Sequence, residues 1–343
     1  VAASAPAPSS AAASHPGAVA QVEILDVDLS GFERGDSTRR RAVVDGVRRS
    51  LETGFVYLRH DLDEAELDAC YAQLGEFFAL PKAEKERSSV PGARGQRGYT
   101  GLLVEVAHGR QTADWKEHLN WGEQAPEGSD LGARFADQYL PPVFPEAECP
   151  GITARLTRFH RRVAELQRRF LRIVAEGLGA DASYFDAMTE HGVHLTRAVH
   201  YPAMTDAPHA DATPGEPHVW AAEHGDINLV TALPRATAKG LQVKAADGWL
   251  DVEPPPGHAV LNTGMMLELV SNGTIPTGLH RVVAAPDQTG DRLAVVQFCH
   301  PAPDTLMVQM PNWVTPERPA TSEPITASAW LDFVLSTIGL DDQ

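Results

Sequence analysis

The chain has 343 residues, and its 29 basic against 46 acidic side chains give a formal net charge of −17. That balance excludes a protein whose main task is to neutralise phosphate backbones, and it disfavours docking on anionic lipid. No stretch approaches the roughly 18–20 unbroken apolar residues of a membrane span, while a 43% hydrophobic content is ample for a large core.

Residues 1–21 are mostly small residues and proline, without a basic start or a compact apolar segment, and read as a flexible tail rather than a secretory signal. The rest, 22–343, reads as a single domain: a helix-rich part (22–190), a β-rich core (191–305) and a closing segment (306–343). VEILDVDLS, from Val22, alternates as a strand. The spacing of Val43, Val44, Val47 and Leu51 predicts a helix over Ser37–Thr53, capped by Ser37. GFVYLRH (Gly54–His60) is a strand, and Asp63–Phe78 is a helix halted by Leu80-Pro81. The charged run PKAEKERS reads as a solvated helix start. Residues 88–150 carry strand-like patches at GYTGLLVEV and EHLNWG. Leu156, Phe159, Val163, Leu166, Phe170, Ile173 and Val174 then mark a long amphipathic helix, Gly151–Leu178, serving as scaffold. Cys70, Cys149 and Cys299 lie too far apart for a disulfide framework or a thiolate cluster, which points to a reducing compartment.

Beyond His194 short apolar strands alternate with turns up to about Ala302, and a last helix spans Ser328–Ile338. Helices followed by many short strands predict an α+β chain whose mainly β core is a sandwich or jelly roll with helices outside. No strand runs into a phosphate-cradling glycine loop, so nucleotide folds are disfavoured.

His224-Gly225-Asp226 falls at the start of the strand-like run INLVTAL, where alternation would aim the imidazole and the carboxylate to one face. His280 opens the strand HRVVAA. Two imidazoles and one carboxylate on a jelly-roll wall form a facial set that binds ferrous iron and leaves three positions open. Arg292 opens RLAVVQF and shares a face with Ala294, Val296 and Phe298; a buried arginine there needs an anion, which a dicarboxylic co-substrate would supply. A second pair, His209 and Asp211, sits among Pro, Gly and Thr with no strand to fix it, and reads as a loop over the pocket mouth. Arg197 shares a face with Tyr201 and either makes a structural ion pair or meets a substrate carboxylate. Lys116, Glu117 and His118 suggest an ion pair tying down a lid, and Trp115 and Trp121 read as core.

From Val22 to Leu340 the ordered motifs GFVYLRHDL, FFALPKAEK, RGYTG, DWKEHLNWG, HYP, HGDINLVTAL, GLQV, GWLDVEP, LNTG, SNG, LHRV and RLAVVQF resemble one family. It is that of the isopenicillin N synthase-like, 2-oxoglutarate- and Fe(II)-dependent oxygenases. The resemblance implies a distorted double-stranded β-helix flanked by helices, with His224, Asp226 and His280 as iron ligands. It further implies that Arg292 pairs with the distal carboxylate of 2-oxoglutarate and that Tyr201 hydrogen-bonds this co-substrate. Fe(II), 2-oxoglutarate and O2 would then oxidise an unactivated C–H of a small natural-product or amino-acid-like substrate, by hydroxylation, desaturation or ring formation, releasing succinate and CO2. Neither nucleic acid, membrane nor an obligate protein partner is expected, and the location implied is cytoplasmic. Three positions depart from the family: Ala294 stands where relatives have serine, Val199 where many have asparagine, and Met265-Met266 where an acidic residue is common. An iron oxidase that does not use 2-oxoglutarate, an ethylene-forming variant and a non-catalytic ligand binder are the alternatives.

Overall fold

The computed structural model describes residues 24–104, 114–203, 218–245, 248–284 and 288–337. The tail over residues 1–21 and the His209/Asp211 pair lie outside the described residues.

The first strand, β1 (Asp26–Asp28), is shorter than its alternation predicts, because α1 (Leu29–Arg34) begins at once. Leu29 and Phe32, three apart, both enter the core, and that spacing suits a helix rather than a strand. Helix α2 (Ser37–Ser50) is capped by Asp36 and not by Ser37: the Arg39 amide donates to the Asp36 carboxylate at 2.8 Å. There follow β2 (Phe55–Arg59), α3 (Glu64–Phe78, capped by Asp63), α4 (Lys82–Glu86) and β3 (Gly98–Thr100). Next come β4 (Glu117–Gly122), α5 (Leu131–Arg134), α6 (Ile152–Gly177) and α7 (Asp186–Thr189).

The second half supplies β5 (Leu195–Tyr201), β6 (His218–His224), β7 (Val230–Ala236), β8 (Leu241–Ala245), β9 (Gly248–Asp251) and β10 (His258–Thr263). After them come α8 (Met265–Val270), β11 (His280–Ala284), β12 (Arg292–Cys299) and α9 (Ala327–Thr337).

Eight strands form one sheet in the order β1-β2-β10-β7-β12-β5-β4-β3, and β6-β11-β8-β9 form another. The larger sheet therefore draws β1–β4 from the part before residue 191. Inward residues of both sheets meet in one apolar cluster, including Phe55, Val199, Tyr201 and Ala294 from the large sheet and Trp220, Val243 and Val282 from the small one. This is the two-sheet packing of a jelly roll.

The outer face of the large sheet is covered by helices. α6 buries Leu156, Val163, Leu166, Phe170 and Ile173 there, and Gln167 bonds it to the sheet by donating to the main-chain oxygens of Val230 (3.1 Å) and Gln297 (2.7 Å). The charged run around α4 is not wholly solvated. Lys85 is buried and reaches Glu117 on β4 at 2.7 Å, where Tyr99 (2.5 Å) and His200 (2.8 Å) also contact that carboxylate. Burial alone would raise the Glu117 carboxyl, but these partners hold it below its ordinary value. Glu117 thus locks α4 to the sheet, while its neighbour Lys116 pairs with Asp114 at 2.8 Å. Trp121 is core, as expected, its indole donating to the Leu156 oxygen at 3.0 Å.

Candidate metal centre and active site

His224 is the last residue of β6 and His280 the first of β11, and the two stand directly opposite each other in the antiparallel ladder. Cross-strand partners project to the same face, so the imidazoles meet with ring centroids 4.3 Å apart. Asp226 arrives differently from the sequence reading. The strand does not start at Ile227 but at Val230, so residues 225–229 form a link and strand alternation does not aim the carboxylate. Local packing does. At Gly225 a Cβ would fall 2.6 Å from Thr277 Cγ2, so only glycine lets the link pass so close. The Met265 amide, at the head of α8, donates to the Asp226 main-chain oxygen at 2.8 Å. The carboxylate Oδ2 accepts from Thr231 Oγ1 (2.5 Å) and Asn262 Nδ2 (2.7 Å).

One ligand-capable atom from each of His224, Asp226 and His280 lies within 4.8 Å of the others. Both histidines use Nδ1 on a main-chain oxygen, His224 on Ala222 (2.7 Å) and His280 on Gly278 (3.1 Å). A carbonyl only accepts, so each Nδ1 carries the proton and each Nε2 presents its lone pair. Desolvation by the protein packed around it, with His280 alongside, pushes the His224 imidazole down to about 4, although its outer edge is open to solvent. Burial raises the Asp226 carboxyl, but the two histidines, Thr231 and Asn262 together hold it below the ordinary carboxylate range. Two imidazoles and a carboxylate, each oriented through its second polar atom, fit a divalent transition metal with open positions.

The N-terminal part supports this arrangement. Phe55 on β2 sets its ring edge-on to His280, 6.0 Å between centroids. Just before it, Gly54 has φ +77° and lies against Gly278; a Cβ there would be 2.5 Å from Gly278 Cα. The main chain that carries His280 is held by this glycine-to-glycine contact.

A cleft of about 380 Å³ opens beside His224 and Asp226. Arg197, Phe298 and His300 form part of its wall, and Leu331, Val334 and Leu335 of α9 line it as well. Arg197 is steadied by Asn120 Oδ1 (3.0 Å) and the Gly95 oxygen (3.3 Å), with its guanidinium carbon 5.7 Å from the Phe298 ring centre.

Arg292 and Tyr201 do not line this cleft. They face each other across β12 and β5 within the barrel, with the guanidinium carbon 5.2 Å from the Tyr201 ring centre. Arg292 is 2% exposed, donates from Nε to the Ala238 oxygen (3.2 Å) and has no carboxylate partner among the described residues. A buried guanidinium without an anion is costly, and a bound dicarboxylate would relieve it.

Comparison with known proteins agrees with this geometry. Residues 193–301 match the family described as the 2OG-Fe(II) oxygenase superfamily, and residues 25–147 match the non-haem dioxygenase in morphine synthesis N-terminal family. A solved 2OG-Fe(II) oxygenase family protein from Caulobacter crescentus is 33% identical, with a TM-score of 0.79 over 92% of this chain and 99% of that one. The chain belongs to the 2OG-Fe(II) oxygenase superfamily. It is an oxidoreductase of the dioxygenase class, and its fold is the double-stranded β-helix of such oxygenases. Fe(II), 2-oxoglutarate and O2 are the cofactor and co-substrates of this family. A full-length Neurospora crassa protein, solved in complex with alpha-KG, is 26% identical with a TM-score of 0.79, covering 92% of this chain and 96% of that one. Leucoanthocyanidin dioxygenase 1 of Oryza sativa subsp. indica is 29% identical over 310 residues, 87% of this chain and 76% of the rice protein.

The sequence reading assigned no role to Thr231 or Asn262, which orient the Asp226 carboxylate. Each is a polar residue in an apolar strand, and that mismatch is the available signal.

Proposed function

We propose that His224, Asp226 and His280 hold Fe(II), that Arg292 pairs with the distal carboxylate of 2-oxoglutarate, and that Tyr201 contacts the same co-substrate. The observation that carries this reading is the convergence of three ligand atoms within 4.8 Å, with both Nδ1 atoms and one Asp226 oxygen already engaged elsewhere. When bound, the iron activates O2 at the expense of 2-oxoglutarate, giving succinate, CO2 and oxidation of an unactivated C–H by hydroxylation, desaturation or ring formation. The protein's own part is to fix the ligands, neutralise the co-substrate in a dry barrel and seat the substrate in the cleft.

The substrate proposed is a small natural-product or amino-acid-like molecule. The volume of the cleft suits one, and the Neurospora crassa protein has also been solved with thymine bound. Arg197 and Phe298 on the cleft wall favour a group that accepts hydrogen bonds and lies flat against a ring. The same reading places the enzyme in the cytoplasm, supported by three buried, unbridged cysteines; among the described residues no helix is long and apolar enough to cross a membrane.

The test is to add Fe(II) and 2-oxoglutarate to the apo protein under argon, then candidate substrates and air. A weak visible charge-transfer band followed by substrate-dependent succinate supports the reading. No band and no succinate would overturn it.

A further inference from the structure

We propose that the indole N–H of Trp220 is a hydrogen-bond donor to the distal carboxylate of the 2-oxo acid, doing the work of the hydroxyl that position 294 lacks. This rests on the 2-oxoglutarate reading of the barrel and concerns how this chain grips that acid.

Trp220 lies on β6, four residues before His224, and its ring packs into the apolar cluster between the two sheets, with Tyr201 and Val282. Its side chain is fully buried, at 0% exposure, and its Nε1 has no acceptor among the described residues. A buried indole N–H ordinarily finds a partner. The Trp220 ring lies 5.2 Å from Tyr201, whose ring centre is 5.2 Å from the Arg292 guanidinium carbon.

One short segment touches both groups. The Ala238 oxygen accepts from Arg292 at 3.2 Å, and two residues on, a Cβ at Gly240 would fall 3.5 Å from Cζ3, on the benzo edge of the Trp220 ring. The corner around Tyr201 thus holds a guanidinium without a carboxylate and, in ring contact with the same tyrosine, an indole whose N–H has no acceptor, among the described residues. Ala294, the next inward residue on β12 after Arg292, belongs to the same apolar cluster and offers no hydroxyl. A carboxylate has several lone-pair directions to fill. One carboxylate placed here would accept from both groups, whereas a monocarboxylic 2-oxo acid would leave the corner as it is.

The experiment compares 2-oxoglutarate with 2-oxobutyrate, which lacks the distal carboxylate. Zn(II) replaces Fe(II) for spectroscopy, and tryptophan is labelled with nitrogen-15. Trp220→Phe, which keeps an aromatic ring but loses the N–H, assigns the Trp220 resonance. We expect 2-oxoglutarate, but not 2-oxobutyrate, to move that resonance downfield.

Trp220→Phe should weaken 2-oxoglutarate about tenfold and leave 2-oxobutyrate unchanged. Adding Ala294→Ser to that variant should restore most of the loss. An unmoved resonance on saturation with 2-oxoglutarate would overturn the proposal. So would equal weakening of both acids, which would mark Trp220 as packing only. If the parent chain binds both acids and these results fail, the indole assignment alone falls. If it binds neither, the co-substrate reading falls with it.

Discussion

At the scale of single residues, the Asp226 carboxylate is aimed by hydrogen bonds rather than by its strand. Thr231 and Asn262 both hold Oδ2, so removing one should loosen the metal without touching a ligand. Asn262→Ala is expected to lower Co(II) or Fe(II) affinity by about tenfold or more, read by metal titration; unchanged affinity would contradict that role. Replacing Arg292 by Met should raise the 2-oxoglutarate concentration needed for half-saturation at least tenfold while the metal still binds; an unaltered requirement would place the co-substrate elsewhere. Two other buried histidines predict a pH response. Burial and nearby His160 push His194 down to about 4, and burial with His194 and Arg97 pushes His300 down to about 3. In the unfolded chain both titrate near 6.5. Above that pH neither state is charged and the native state is fully stable. As pH falls from about 6.5 towards 4 the unfolded state binds protons that the native state refuses, so stability drops by up to about 1.4 kcal/mol per pH unit for each histidine. Melting temperature of the metal-free protein should therefore fall from pH 7 to 4.5, and His300→Gln should flatten the slope. A melting temperature that holds or rises on acidification would contradict this.

At the scale of elements, the centre is assembled by pairing of β6 with β11, by a link docked on α8, and by a contact between Gly54 and Gly278 far apart in sequence. The strands themselves were legible, since β5–β12 alternate or carry β-branched runs between turn residues. So was α6, whose apolar face repeats every three or four residues. The trio proposed as metal ligands stood out in the sequence as a pattern, but its geometry did not. The His-x-Asp spacing suggested one strand, whereas the chain leaves β6 at His224 and turns before β7, a difference that only contacts with Thr277, Met265 and Asn262 decide. Lys85 is the same lesson. Its neighbours are charged and exposed, and nothing local shows that it alone swings inward to Glu117, 32 residues away. Cutting that buried pair with Lys85→Met should destabilise the fold by about 3–5 kcal/mol, measured by urea unfolding. A loss under about 1 kcal/mol, the worth of an exposed pair, would mean the pair does not anchor α4.

At the scale of the whole molecule, two sheets enclose a barrel in which the proposed metal ligands sit beside the cleft, while the buried guanidinium of Arg292 lies against the Tyr201 ring, away from the cleft lining. Helices pack on the outer face of the large sheet, which leaves its inner face and the cleft as the places proposed for co-substrate and substrate. The family resemblance was carried by the order of short motifs across the chain, each weak alone, and the eight-stranded sheet explains that order. Its strands come from both halves, so the motifs of the first half, such as GFVYLRH, reach the proposed metal centre through the contact of Phe55 with His280. The most direct test of the account is an anaerobic Fe(II)-loaded crystal measured at the iron absorption edge. The account predicts one strong anomalous peak in bonding contact with Nε2 of His224, Nε2 of His280 and a carboxylate oxygen of Asp226. An anomalous peak at another set of side chains, or none with iron present in the crystal, would contradict it.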